Sequence, residues 1–97
     1  MEKEDILKIT NKIIGKLCKR SKSIGVNITF SQDAISLIAE RGYSKKFGAR
    51  ELRRTIIQMA ETPLAQKMLD GEIKSGDNII ATSNGDEIIF SQLHQAN

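Results

Sequence analysis

The chain has 97 residues, 39% of them hydrophobic and 28% charged, which suits one hydrophobic core and leaves no room for a second. No apolar run approaches the ~20 residues that cross a bilayer, and the charged first residues resemble neither a signal peptide nor a transit peptide. The formal net charge of +3 is too small to indicate nucleic acid by itself, and the single cysteine, Cys18, excludes an internal disulfide. We therefore expect one domain in a reducing, cytoplasmic setting, with no membrane partner.

The first half of the chain predicts a helix, a strand and a second helix. Residues 3–22 repeat apolar side chains at helical spacing, and lysines fill the opposite face, which we interpret as solvated. Residues 26–30 alternate like a strand with one buried face. Ser31 is a suitable N-cap for a helix over about 32–41, and Gly42 is placed to end that helix in the left-handed conformation.

The second half predicts further helices and a hairpin. Helical spacing resumes at Ala49, and Thr62-Pro63 should end or kink the helix near Glu61 because proline lacks an N–H. Thr62 would then cap a new helix that stops at Gly71. Two short strand patterns, over 78–82 and 87–90, flank an Asn-Gly pair typical of a hairpin.

This order predicts an α+β fold, with helices packed on a three-stranded sheet. The domain should occupy residues 1–90. Residues 91–97 lack periodicity and should form a frayed tail that includes His94, the only histidine.

The most informative stretch lies between the second and third predicted helices. From Arg41 to Arg54 there are six Lys/Arg and one Glu, a charge of +5 (6 − 1) in a chain whose total is +3. Arg50 is expected in the first turn of the helix that starts at Ala49, where free backbone N–H groups and a guanidinium together favour phosphate. Tyr43 and Phe47 are interpreted as loop anchors packed on the core.

Motifs of a self-contained catalyst are missing from the sequence. There is no Gly-x-x-x-x-Gly-Lys-[Ser/Thr] phosphate loop, no nucleophile motif, and no Cys, Asp or second His at metal-ligand spacing from His94. We therefore expect no catalytic residues and no metal site, and we interpret Cys18 as a core residue rather than a reactive thiol.

Several motifs together resemble one family, the C-terminal small domain of Clp-type AAA+ unfoldases and disaggregases (the ClpB, ClpC and ClpA group). They are Gly42-Tyr43, Gly48-Ala49-Arg50 with Leu52-Arg53-Arg54, Pro63-Leu64-Ala65 and Gly76-Asp77. Two departures stand out. Ser44-Lys45 replaces the family's Asp-Pro, and Glu51 replaces a proline and could compete for the charge of Arg50.

The resemblance implies a role in nucleotide sensing. Arg50 matches the "sensor 2" arginine that approaches the γ-phosphate of ATP, with Gly48 and Ala49 at the helix start. Ile6 and Ile9 loosely match positions near the adenine, although a plain core role fits them equally well. Arg53 and Arg54 are either solvated or paired with a neighbouring domain or subunit.

The resemblance also implies partners. ATP or ADP with Mg would be held mainly by a large AAA+ domain of the same chain, and this fragment alone would bind none. Rotation of the small domain would couple hydrolysis to protein unfolding in a hexameric chaperone ring of the stress response. Protein substrates would be partners, as would a peptidase in the members that feed one.

Two alternatives of other classes stay open at this stage. The basic loop could serve a nucleic-acid-binding module, although no nucleic-acid-binding signature is present and nucleic acid is not the expected partner. A strand of the hairpin could serve a protein adaptor by pairing with a partner's edge strand.

Overall fold

The computed structural model describes residues 2–93. The helices are α1 (Lys3–Ser23), α2 (Gln32–Gly42), α3 (Leu52–Ile56) and α4 (Thr62–Leu69), with a π-helical segment, Ile57–Glu61, between the last two. The strands are β1 (Asn27–Phe30), β2 (Asn78–Asn84) and β3 (Glu87–Gln92). The predicted α+β fold and the predicted order of elements are both confirmed.

The three strands form one sheet in the order β1-β2-β3. β1 runs parallel to β2, and β2 runs antiparallel to β3. In the β2–β3 hairpin Asn84 pairs with Glu87, so the two-residue loop is Gly85-Asp86, with a positive φ of 64° at Gly85 alone. A positive φ only at the first loop position fits a type II′ turn, which glycine favours. The predicted hairpin is therefore present, with its turn one residue later than the Asn-Gly pair.

A single core lies where the helices meet the sheet. Alternation in and before β1 buries Val26, Ile28 and Phe30, as predicted, and the ring of Phe30 meets that of Phe90 edge-on at 6.4 Å between centroids. α2 begins at the predicted cap, where Ser31 Oγ accepts a hydrogen bond from the Ala34 N–H at 3.1 Å. Within residues 2–93 no helix is both long and apolar enough to cross a membrane.

Gly42 is required for a different reason from the one predicted. It is the last residue of α2 and its φ is not positive, so the predicted left-handed helix end is wrong. A Cβ at this position would lie 2.5 Å from Leu52 Cδ1 and 3.0 Å from Leu52 Cα. Gly42 therefore allows the end of α2 to pack directly against the start of α3.

The third helix begins later than predicted. Ala49, Arg50 and Glu51 lie in turns, and α3 starts at Leu52 with Glu51 as its N-cap residue. The Leu52 N–H donates to the Ala49 carbonyl and the Thr55 N–H to the Glu51 carbonyl. Arg50 therefore precedes the helix and does not lie in its first turn, which removes the helix start from the predicted site.

The helix does not end near Glu61, and Thr62 does not act as the predicted cap. Thr62 has helical dihedral angles, φ −65° and ψ −47°, and its N–H donates to Ile57 O, five residues back. The wider π-helical turn lets the chain pass Pro63, whose missing N–H would interrupt an α-helix. Helical backbone consequently continues from Leu52 to Leu69, and it ends before Gly71, whose φ is +79°.

The sheet includes part of the segment that was predicted to fray. Ser91 and Gln92 belong to β3 and pair with Ile80 and Ile79. The Gln92 amide also donates to Asp77 Oδ2 at 2.9 Å. The boundary predicted at residue 90 thus falls inside the strand, and His94 lies outside the described residues.

Candidate functional site

A tight loop leads from α2 towards α3. Ser44 and Gly48 form an antiparallel bridge, in which the Ser44 N–H donates to Gly48 O at 3.0 Å and the Gly48 N–H donates to Ser44 O at 2.7 Å. Ser44 Oγ accepts from the Phe47 N–H at 3.0 Å, so Ser44 caps the turn. Gly48 has a φ of 61°, a conformation that other residues adopt only at a cost. The backbone of this 44–48 loop is thus fixed largely without its long side chains.

Arg50 follows this loop and its side chain is exposed. Its backbone N–H donates to Phe47 O at 3.2 Å, and its guanidinium carbon lies 5.9 Å from the centroid of the Phe47 ring. Within residues 2–93 the guanidinium has no ion pair and no side-chain hydrogen bond, whereas Arg20 and Arg41 pair with Glu61 and Asp86. Its N–H donors therefore face outward and can reach an anion.

Arg50 lies on the edge of a groove between α1 and the start of α3, which we call the cationic groove. Its volume is about 310 Å³. Four cationic side chains line it, and they are Lys12, Lys16, Arg50 and Arg53. Its apolar lining consists of Ile9, Ile13 and Ala49. No carboxylate lines the groove within the described part of the chain, so its potential is positive and suits an anionic ligand.

The structure groups only some of the predicted site residues. Ala49, Arg53 and Ile9 line the same groove as Arg50, and Gly48 shapes the loop before it. Ile6 is 5% exposed, belongs to the core, and lines a separate apolar groove with Tyr43. The resemblance grouped Ile6 with Ile9, but in the structure the two side chains line different grooves.

The charged residues that follow Arg50 in the sequence do not all join it in the groove. The carboxylate of Glu51 lies 3.9 Å from Arg54 Nη1 and makes no ion pair with Arg50, so the anticipated competition for Arg50 is not observed between these residues. Arg54 is 74% exposed at its side chain, and it is not among the residues that line the cationic groove. Of the two arginines predicted to be either solvated or paired with a neighbouring domain or subunit, only Arg53 lines the groove with Arg50.

Two features of the site were missed from the sequence. Lys12 and Lys16 were assigned to a solvated face of α1, yet their spacing of four places them with Ile9 and Ile13 on the face that meets Arg50. Phe47 and Tyr43 were predicted to pack on the core, but they are 47% and 36% exposed. The sequence could have indicated the exposed position of Phe47, because Lys46 and Arg50 are close enough along the chain for both cations to reach its ring.

Other chemistry is not supported by the described residues. Burial raises the pKa of the half-buried Cys18 thiol, which disfavours the reactive thiolate and agrees with a core role. Within residues 2–93 no three His, Cys, Asp or Glu side chains lie together in a way that could hold a metal ion. The cationic groove is therefore the best candidate for a functional site.

Comparison with known proteins identifies the family to which this chain belongs. Residues 1–81 match the family model described as "C-terminal, D2-small domain, of ClpB protein". The chain is 36% identical over 86 residues to chaperone protein ClpB of Aquifex aeolicus, covering 89% of this chain and 8% of that protein. It is 39% identical over 83 residues to ClpB of Helicobacter hepaticus, covering 84% and 10%.

The similarity extends to a plant relative. The chain is 32% identical over 84 residues to chaperone protein ClpD2, chloroplastic, of Oryza sativa, which covers 87% of this chain and 9% of that protein. The chain thus spans about a tenth of the length of the curated relatives it matches.

Proposed function

Because the chain belongs to the family of the C-terminal, D2-small domain of ClpB protein, we propose that it is the nucleotide-sensing small domain of an ATP-dependent Clp chaperone. In this proposal the domain includes the whole of β3, through Gln92, and contributes no catalytic group of its own. A large AAA+ domain of the same chain holds ATP or ADP with Mg, and Arg50 reaches the γ-phosphate from the small domain.

One observation carries the proposal: Arg50 is an exposed guanidinium with no acidic partner among residues 2–93, on the edge of a groove lined by three further cations. A guanidinium presents forked N–H donors that suit phosphate oxygens. Phosphoryl transfer depends mainly on positioning and on cations placed beside the phosphate oxygens. An accessible, unneutralised arginine that faces the large domain, as proposed, meets this requirement.

The other groove residues have supporting roles in this proposal. Gly48 sets the loop that presents Arg50, and Ala49 and Ile9 offer apolar surface beside it, Ile9 towards the adenine. Arg53 faces the same ligand or the adjoining large domain. Arg54 is exposed away from the groove and is available to a neighbouring subunit.

ATP hydrolysis is coupled to domain motion in this proposal because the γ-phosphate contact is made by a separate domain. A γ-phosphate contact supplied by a separate domain is lost when ATP is hydrolysed, so the angle between the two domains reports the nucleotide state. In a hexameric ring in the cytoplasm, this motion would drive the unfolding of protein substrates. A peptidase would be a further partner in a protease-coupled machine.

The test uses the parent ATPase carrying Arg50→Ala. We expect its ATP hydrolysis to fall about ten- to a hundred-fold, because a hydrogen bond to a charged group contributes ~1.5–3 kcal/mol. Lys45→Ala is the matched control, since it removes an exposed cation from the same loop that does not line the groove. Wild-type hydrolysis and a wild-type nucleotide-dependent domain motion in Arg50→Ala would overturn the proposal. The 97-residue chain alone should show no ATPase activity.

A second candidate function is favoured by the four cations of the groove, which could equally contact a nucleic-acid backbone. Titration of the chain with single-stranded RNA or DNA at several salt concentrations separates the two. Salt-dependent binding well below ~10⁻⁶ M would favour nucleic acid, because ordinary non-specific contacts give about 10⁻⁴–10⁻⁶ M.

A further inference from the structure

Phe47 is a large aromatic residue that the core does not use. Its side chain is 47% exposed, and it does not belong to the buried cluster. The loop nevertheless fixes its backbone, since its N–H is bound by Ser44 Oγ and its carbonyl accepts from the Arg50 N–H. An exposed ring on a well-defined backbone points to a role at the surface.

Two cations lie over this ring. The ammonium of Lys46 is 5.2 Å from the ring centroid, and the guanidinium carbon of Arg50 is 5.9 Å from it. Both distances fall within the ~6 Å at which a cation is attracted by the quadrupole of an aromatic ring. The carbonyl of Phe47 also holds the backbone of Arg50, so the two residues are linked at both backbone and side chain.

An aromatic neighbour differs from an acidic one in its effect on an arginine. A carboxylate would hold the guanidinium but would neutralise it and occupy its N–H donors. A ring attracts the cation through its face and takes none of those donors. It also reduces the rotamer freedom of a side chain that carries ~2 kcal/mol of conformational entropy, so that less is lost when the ligand binds.

We infer that Phe47 is a positioning residue for Arg50, whose guanidinium it holds at the edge of the cationic groove while leaving its charge and donors free. The inference rests on the proposed function of Arg50, because it concerns how that residue is presented. It assigns to the loop aromatic a role in pre-organising the phosphate contact.

The first experiment examines the contact itself in the 97-residue chain by NMR. The side-chain protons of Arg50 should be shifted upfield by the ring current of Phe47. The shift should disappear in Phe47→Leu, which keeps apolar bulk, and persist in Phe47→Tyr, which keeps the ring. Lys46→Ala is the matched control and should leave it in place. Arg50 resonances that are the same in the wild type and in Phe47→Leu would overturn the inference.

The second experiment measures the consequence in the parent ATPase. Phe47→Leu should lower ATP hydrolysis about two- to five-fold, the factor that corresponds to ~0.5–1 kcal/mol for an exposed cation–π contact. Phe47→Tyr should restore it. In an Arg50→Ala background Phe47→Leu should have no further effect, because two residues that act through one contact are not additive.

The outcomes separate the two proposals. If Arg50→Ala has no effect on the parent ATPase, the proposed function fails. If Arg50→Ala slows hydrolysis while Phe47→Leu behaves as wild type, only the role of Phe47 is overturned. A loss in Phe47→Leu that Phe47→Tyr does not restore would also overturn it, because the effect would then come from the loop's structure.

Discussion

The core and the 44–48 loop are stabilised in different ways. In the core, shape depends on side chains such as Ile38 and Leu52, which are 0% and 1% exposed. In the loop, shape depends on the Ser44–Gly48 backbone bridge and on one glycine with positive φ. The loop's long side chains carry little of its structure. The residues we assign to ligand contact are therefore free to face outward, and changes to them should leave the fold intact.

The largest effect is expected from the core. Leu52→Ala should destabilise the domain by about 2–5 kcal/mol, the usual cost of removing a buried leucine side chain. Urea unfolding followed by circular dichroism measures this change. Arg53→Ala, one residue further on and exposed, is the matched control and should stay within ~0.5 kcal/mol. Similar losses in the two variants would contradict the distinction between core and site.

The next effect is expected at the junction of α2 and α3. Gly42→Ala should cost about 1–3 kcal/mol, because the new methyl group meets Leu52 Cδ1 at 2.5 Å and the Leu52 backbone at 3.0 Å. Gly15→Ala is the control, since a Cβ there meets nothing within 4 Å. It should stabilise α1 by up to ~1 kcal/mol through helix propensity. If Gly42→Ala also stabilised the domain, the close approach of the two helices would be wrong.

A smaller and more local effect is expected in the loop. Gly48→Ala should cost about 1–2 kcal/mol, since no neighbour blocks the methyl group and only the positive φ is penalised. In this variant, hydrogen exchange should accelerate at the backbone amide of residue 48, while the amides of the core change little. Gly48→Asn should recover part of the protection, because asparagine tolerates this conformation better than alanine. Equal acceleration throughout the core would show that the loop is not an independent unit.

The smallest effect concerns the turn that leads into β2. Asp77 accepts hydrogen bonds from the Lys74 N–H and the Gln92 amide, and these bonds, the backbone one first, hold the pKa of its carboxyl below the usual value. Because the pKa is depressed in the folded state, the stabilisation is present above the unfolded pKa, ~3.9, and is lost as the pH falls through the folded value. Asp77→Asn should reduce the fall in urea midpoint between pH 5 and pH 2. An unchanged fall would exclude this contribution.

Much of the fold followed from local sequence. The alternation at residues 26–30, the Ser31 cap and the Asn-Gly pair identified β1, α2 and the hairpin, because each depends on neighbouring residues. Leu69 follows the apolar Leu64 and Met68 at helical spacing but is 82% exposed, since periodicity does not say where a helix leaves its partner. The need for glycine at 42 depends on Leu52, ten positions later, and no local pattern reports it.

The site was predicted less completely than the fold. Arg50 and Arg53 were found from a motif and its charge, but Lys12 and Lys16 join them only because α1 packs beside the start of α3. The later start of α3 also moved Arg50 out of the helix, since the Gly48 turn occupies the residues that helical spacing would have claimed. A contact between distant segments decided the first point, and the local geometry of the 44–48 loop decided the second.

The π-helical turn at Ile57–Glu61 keeps the backbone helical from Leu52 to Leu69, past Pro63. The first turn of this segment lies next to Arg50, and its far end lies before the turn at Gly71. The surroundings of Arg50 and the turn at Gly71 are therefore joined by helical backbone and not by a flexible loop.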